Sequence, residues 1–215
     1  TQKDVEDLVG QARPLVVAPP GGDRLTGKIT AEQIVAKAGE PGPLKIISVA
    51  NLIPRKGIHT LITALASLPH NDWQLTVAGS LEMDTSYVGS IHRQIEQEKL
   101  THRISLLGTV SDDELAILLP QYHLLAVPSS YEGFGIVYLE GMQFGLPAIA
   151  GTAGAAKEII THGYNGFLVS PGNPKALAHH IELFIRDREL LLKMSLAAHR
   201  SAAAYPTWND SAARV

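Results

Sequence analysis

The stretch "KIISVANLIPRKGIHTLITALASL" (residues 45–68) decides the fold. Its opening run, Lys45 to Ala50, is short and almost unbroken in apolar character, as suits a strand covered on both faces. Downstream, Ile58, Leu61, Ile62 and Leu65 fall at i, i+3, i+4 and i+7, the spacing of one helix face. Between them "NLIPRKG" carries the proline and glycine of a tight connection. The unit is strand, loop, helix.

The same unit recurs along the chain. "WQLTVAG" (73–79) reads as a strand followed by a polar-faced helix over about 85–99. "RISLLG" (103–108) precedes "SDDELAILLPQ", where Ser111 and Glu114 have capping-box spacing. "HLLAVPS" (123–129) and "LPAIAG" (146–151) are further strands, and "GFLVSP" (166–171) closes the series. After it Asn173-Pro174 pairs an N-cap with proline at the first helical position, opening long helices to about Ala203. Alternating strands and helices of this kind predict an α/β fold, a doubly wound parallel sheet of Rossmann-like type, over residues 44–205. Residues 1–43 differ in character and are read as a linker and lead-in. Within them "PLVVAPP" could form one more strand, and "TAEQIVAKAG" a short helix with a Thr-x-x-Gln cap. No internal repeat is visible.

Composition narrows the function. The 215 residues are 45% hydrophobic and 18% charged, as in an ordinary globular protein rather than a disordered one. A net charge of -3 gives no footprint for nucleic acid. Cysteine is absent, which excludes disulfides, thiolate metal sites and Cys nucleophiles and suits a reducing compartment. No apolar run reaches the roughly 18 residues of a membrane-spanning helix. The nine histidines show no ligand spacing, so no metal site is expected, and no Gly-x-Ser-x-Gly elbow offers a hydrolase serine. The chain starts at Thr1 without a methionine and stops at Val215, a few residues into a new helical pattern after "TWNDS". Both ends read as cuts, so a fragment of a longer protein is expected, with residues 206–215 a truncated helix.

In open α/β sheets ligands bind beyond the carboxyl ends of the strands. The residues there are Asn51 to Gly57, Gly79-Ser80, Thr109-Val110-Ser111, Ser129 to Gly135 and Gly151 to Gly154. Small polar residues and a few charges dominate, a polar rim over an apolar sheet. Gly133-Phe134-Gly135 lacks the third glycine of a dinucleotide fingerprint, since position 138 is Tyr138, and no phosphate-loop motif occurs. Gly135 nevertheless opens a helix whose first amides have no intrahelical partner, an end that suits a phosphate or sugar oxygen. Arg55 and Lys56 in the first loop could face a diphosphate, though an Arg-Lys pair in a turn is as readily solvated. Glu132 and Glu140 bracket the glycine turn. Carboxylates there can accept from sugar or ribose hydroxyls, and the plainer alternative is a solvated loop glutamate and a helix glutamate paired with a base.

These residues carry a resemblance. "EGFGIVYLEG" (132–141) resembles the Glu-x7-Glu motif of retaining nucleotide-sugar glycosyltransferases of the GT-B fold, family 4 type, also called glycosyl transferases group 1. "ISVANLIPRKGIHTLITAL", "LTVAGS", "ISLLGTVSDDELAILLPQYHLLAVPSSYEGFG" and "GLPAIAGTAGAAKEIITHGYNGFLVSPGNPKALA" are similar to its other blocks, in order, over about residues 44–205. The resemblance implies one half of a GT-B fold, the donor-binding domain, with the acceptor held mainly by a missing N-terminal domain. It implies Lys56, Glu132 and Arg55 as catalytic residues, and Glu132 with Gly133, Phe134 and Gly135 around the donor hexose. Glu140 would take the ribose diol. Ile136 and Val137 amides would hold the diphosphate, and Thr109-Val110, with Gly79 and Ser80, would meet the rest of the nucleotide. The implied reaction transfers a hexose from a UDP- or GDP-linked donor with retention, without metal or other cofactor. Alone, the domain should bind nucleotide but transfer little. The expected location is the cytoplasm, with membrane attachment of the full-length protein through the missing domain at the inner membrane face. A related GT-B epimerase or phosphorylase and a non-catalytic nucleotide-binding module are the alternatives. The chain departs from the family at Asn51, where an arginine is usual and which Arg55 would replace, and at "AGAAKE", where a glycine pair is usual.

Overall fold

The computed structural model describes residues 16–215. Six strands form one parallel sheet: β1 (Leu44–Val49), β2 (Trp73–Ala78), β3 (Ile104–Gly108), β4 (Leu124–Val127), β5 (Ala148–Gly151) and β6 (Gly166–Val169). Their order is β3-β2-β1-β4-β5-β6. The direction of winding therefore reverses between β1 and β4, which pair through Ile46–Leu124 and Ile47–Leu125. This is the doubly wound, Rossmann-like sheet expected from the alternating pattern, the architecture of one half of a GT-B fold.

Adjacent residues in each strand serve opposite layers. Ile46 and Leu124 face a core with Leu61, Leu65, Ile91, Ile181 and Phe184. Ile47 and Leu125 face another with Leu115, Tyr138, Leu139 and Met142. Helices α2 (Ile58–Ala66), α3 (Thr85–Gln97) and α7 (Pro174–Arg186) supply the first layer. Helices α4 (Asp112–Leu118), α5 (Ile136–Gln143) and the short α6 (Ala156–Ile159) supply the second. Because both faces are covered, β4 and β5 are buried at every position. The expected capping box opens α4, with the Ser111 hydroxyl accepting from the Glu114 amide and the Glu114 carboxylate accepting from the Ser111 amide.

The lead-in is more than a linker from Gly21 onward. Helix α1 (Ala31–Ala38) starts at Thr30 with the predicted capping box and packs on α8 (Arg188–Ala203). Leu25, Ile29 and Ile34 are all buried, and the Lys37 ammonium donates to the Phe144 carbonyl at the end of α5. Burial lowers the Lys37 pKa to about 8. The strand expected in "PLVVAPP" does not form over its described part, 16–20. Val16 and Val17 are exposed there, and Pro19 and Pro20 have no N–H to give a ladder. Residues 1–15 lie outside the described part. At the other end α9 (Trp208–Ala212) sits on the lead-in: the Trp208 amide donates to Asp23 Oδ1 (2.8 Å) and the Gly22 amide to the Pro206 carbonyl (2.9 Å).

Candidate nucleotide-sugar site

At the switch between β1 and β4 a cavity of about 580 Å3 opens beyond the carboxyl ends of the strands. Val49, Ala50, Asn51 and Lys56 line it from the end of β1, and Ala78 and Gly79 from β2. Thr109 and Val110 follow β3, and Ile136, Val137 and Glu140 belong to α5. A second cavity of about 400 Å3 shares Val49, Lys56, Ile136 and Val137 with the first and adds Glu132, Phe134, Gly135, Pro20 and Trp208. The start of α5 thus lies between two adjoining spaces, one lined by Glu140 and the other by Glu132.

Two glycines make this geometry possible. Gly57 adopts φ +72°, and a Cβ there would overlap the Pro128 carbonyl oxygen. The Lys56 loop is thereby brought against the end of β4. Gly135 is the N-cap of α5 at φ +92°, and a Cβ there would meet the Tyr138 ring at 2.6 Å. Tyr138 itself is fully buried, and its hydroxyl donates to the Val127 carbonyl at 2.9 Å, fastening α5 to β4. Burial, with the Glu132 charge second, raises the Tyr138 pKa and keeps the phenol neutral. No side chain caps α5, so the amides of Ile136 and Val137 are left to a ligand or water.

The charged groups come in pairs. Lys56 Nζ donates to Glu132 Oε2 at 2.8 Å, with side chains only 15% and 12% exposed, and the Ser129 hydroxyl donates to the same oxygen at 3.1 Å. Glu140 is 3% exposed, and its Oε1 accepts from Arg24 Nε at 2.5 Å. Arg24 Nη1 donates in turn to Asp112 Oδ1 at 2.5 Å. The Glu140 hydrogen bond, the largest cause, raises the Arg24 pKa above its ordinary value. Among the described residues, two cations, Arg24 and Lys56, and three carboxylates, Asp112, Glu132 and Glu140, line the cavities.

Most residues singled out from sequence meet here: Lys56, Glu132, Phe134, Gly135, Ile136, Val137, Glu140, Gly79, Thr109 and Val110 all line one cavity or the other. Gly133 is at the exposed tip of the turn. Ser80 lies just behind the wall, its amide donating to Asn51 Oδ1 at 3.0 Å. Arg55 lines neither cavity. Its guanidinium is exposed and donates to the Tyr131 carbonyl at 2.7 Å, tying the first loop to the glycine turn. Sequence reasoning missed Arg24 and Asp112. Asp112 was within reach of the strand-end criterion, one residue past Ser111. Nothing local marks Arg24, which lies 116 positions from Glu140.

The chain belongs to the family of glycosyl transferases group 1, whose model matches residues 30–201. It is 35% identical over 66% of its length to an uncharacterized glycosyltransferase of Methanocaldococcus jannaschii, of which it covers 36%. It is 28% identical over its whole length to the GDP-mannose-dependent alpha-(1-6)-phosphatidylinositol monomannoside mannosyltransferase of Mycobacterium tuberculosis, of which it covers 58%. Among solved structures it resembles Anabaena HepE in complex with UDP and glucose, with a TM-score of 0.81, 28% identity and coverage of 98% of this chain and 58% of that one. The chain therefore spans between about a third and three fifths of the length of these relatives. Among the described residues no helix is long and apolar enough to cross a membrane.

Proposed function

We propose that this chain is the donor-binding domain of a retaining glycosyltransferase that moves a hexose from a UDP- or GDP-linked donor to an acceptor held largely by another domain. The observation that carries this is the uncapped start of α5 between two carboxylates, one in each of two adjoining cavities, with Lys56 bordering both. The likeness to HepE, whose structure holds UDP and glucose, and to a GDP-mannose-dependent enzyme supports the ligand class.

In this reading the ribose diol donates to Glu140 and the base rests near Thr109 and Val110. The diphosphate accepts from the Ile136 and Val137 amides, where the helix dipole favours negative charge. Lys56 has three N–H donors and gives one to Glu132, which leaves two for phosphate oxygens. As the glycosidic bond to the diphosphate breaks, charge gathers on the departing oxygen, and these groups stabilise it without a metal ion. Glu132 accepts from hexose hydroxyls and holds the ring against the turn at Gly133 to Gly135. Both glutamates position the donor; neither needs to shuttle a proton. Arg55 acts by fixing the loop that presents Lys56 and not by touching phosphate. Isothermal calorimetry with UDP, GDP and ADP tests the reading. Binding of UDP or GDP in the micromolar to millimolar range, unchanged by a chelator, is expected, and no heat from any of the three at millimolar concentration would sink it.

A further inference from the structure

Arg24 belongs to the lead-in, outside the Rossmann-like sheet, yet its guanidinium reaches the wall of the larger cavity. Its backbone is pinned on both sides. Before it, Asp23 accepts from the Trp208 amide and the Gly22 amide donates to the Pro206 carbonyl. After it, Leu25 is buried, and Gln143 Nε2, on α5, donates to the carbonyls of Leu25 (3.0 Å) and Gly27 (2.9 Å). The side chain spans two acids with different roles. Nε meets the buried Glu140, and Nη1 meets the half-exposed Asp112 at the start of α4. Among the described residues Arg24 is the cation that Glu140 contacts, and it engages Oε1 alone, which leaves Oε2 to accept from a ligand.

Resting on the donor-site reading above, we infer that Arg24 is the positioning residue for Glu140. It holds the carboxylate in one orientation with Oε2 toward the cavity, so that the site selects a nucleotide with an intact ribose diol. Asp112 holds Arg24 in turn and draws its guanidinium away from the phosphates. A charge-assisted pair of this kind fixes direction, and a buried carboxylate without its cation is no longer held to one orientation. A site shaped around a hydroxyl discriminates against the analogue that lacks it, because its own acceptor is then unpaired.

The test compares UDP with dUDP, and GDP with dGDP, by calorimetry on the wild-type chain and on Arg24→Gln, Arg24→Lys and Asp112→Ala. The wild type is expected to prefer the ribonucleotide by about ten-fold or more. In Arg24→Gln that preference should collapse to near unity, with partial recovery in Arg24→Lys. Asp112→Ala, a change at an exposed position, should lower it several-fold and answers the question even if Arg24→Gln does not fold. A preference that is unchanged or larger in the variants overturns the inference, as does a wild type that binds both nucleotides equally. Failure of all nucleotides to bind the wild type defeats the donor-site reading instead.

Discussion

Lys56 and Glu132 lie 76 positions apart in sequence and 2.8 Å apart in space, mostly shielded from water. One ammonium proton goes to that carboxylate, and Lys56 lines both cavities, so under the proposal its other two protons are given to phosphate oxygens. Lys56→Met should lower affinity for the bound nucleoside diphosphate about ten-fold and leave affinity for the corresponding nucleoside unchanged, as calorimetry of the two ligands would show. Equal losses for both would mean that the lysine only supports the fold. The sequence pointed to Lys56, Glu132 and Glu140 because they follow strands or flank the glycine turn, where side chains of a parallel sheet meet ligands. Their partners were not legible. Arg55, expected to face a diphosphate, donates to the Tyr131 carbonyl, and Asn51, standing where the family has an arginine, accepts from the Ser80 amide. Those bonds depend on how loops approach one another, which no local pattern encodes.

Among the elements, α5 matters most, and its start depends on Gly135. Alanine there must adopt φ near +92° and push against the Tyr138 ring, which is held by its bond to Val127. Gly135→Ala should cost about 1–3 kcal/mol in denaturant unfolding and weaken nucleotide binding beyond that loss. An exposed glycine without such contacts, Gly172→Ala, provides the control for backbone strain alone. At the ends of the chain, Asp23→Ala removes the acceptor for the Trp208 amide and should lower stability by about 1 kcal/mol, read as a shift of a few degrees in Tm. All six strands could be placed from sequence within a residue or two at most ends, since buried parallel strands are short apolar runs between glycines and caps. "PLVVAPP" shows where that rule fails: apolar residues without a neighbouring strand edge, and prolines without donors, do not make a strand.

For the whole molecule, the sheet order places the site and the lead-in closes over it. The alternating pattern made the doubly wound sheet legible, but not the packing of Gly21 to Ala38 on α5 and α8, because that segment is short and its apolar residues are interspersed with polar ones. The same region contains an acid-sensitive joint. His123, at the amino end of β4, is buried, its Nδ1 accepts from the Lys45 amide, and Glu40 lies 3.9 Å from Nε2. Burial first, then the charges of Arg188, Lys45 and Lys37, lower its pKa to about 4, the nearby Glu40 notwithstanding. The unfolded chain, titrating near 6.5, therefore binds more protons than the native state between about pH 6.5 and 4. Stability from neutral His123 is present above that window and is lost as pH falls through it, by about 2 kcal/mol at pH 5. Unfolding midpoints at pH 7 and pH 5 should differ more for the wild type than for His123→Asn. In the proposed site one nucleoside diphosphate spans α5, with its ribose at Glu140 and its phosphates at the helix start. A crystal structure of the chain with UDP or GDP tests it directly. Ribose hydroxyls within hydrogen-bond distance of Glu140 and phosphate oxygens on the Ile136 and Val137 amides and Lys56 are the expected result, and a nucleotide bound away from these groups, or reversed along the cavity, would contradict it.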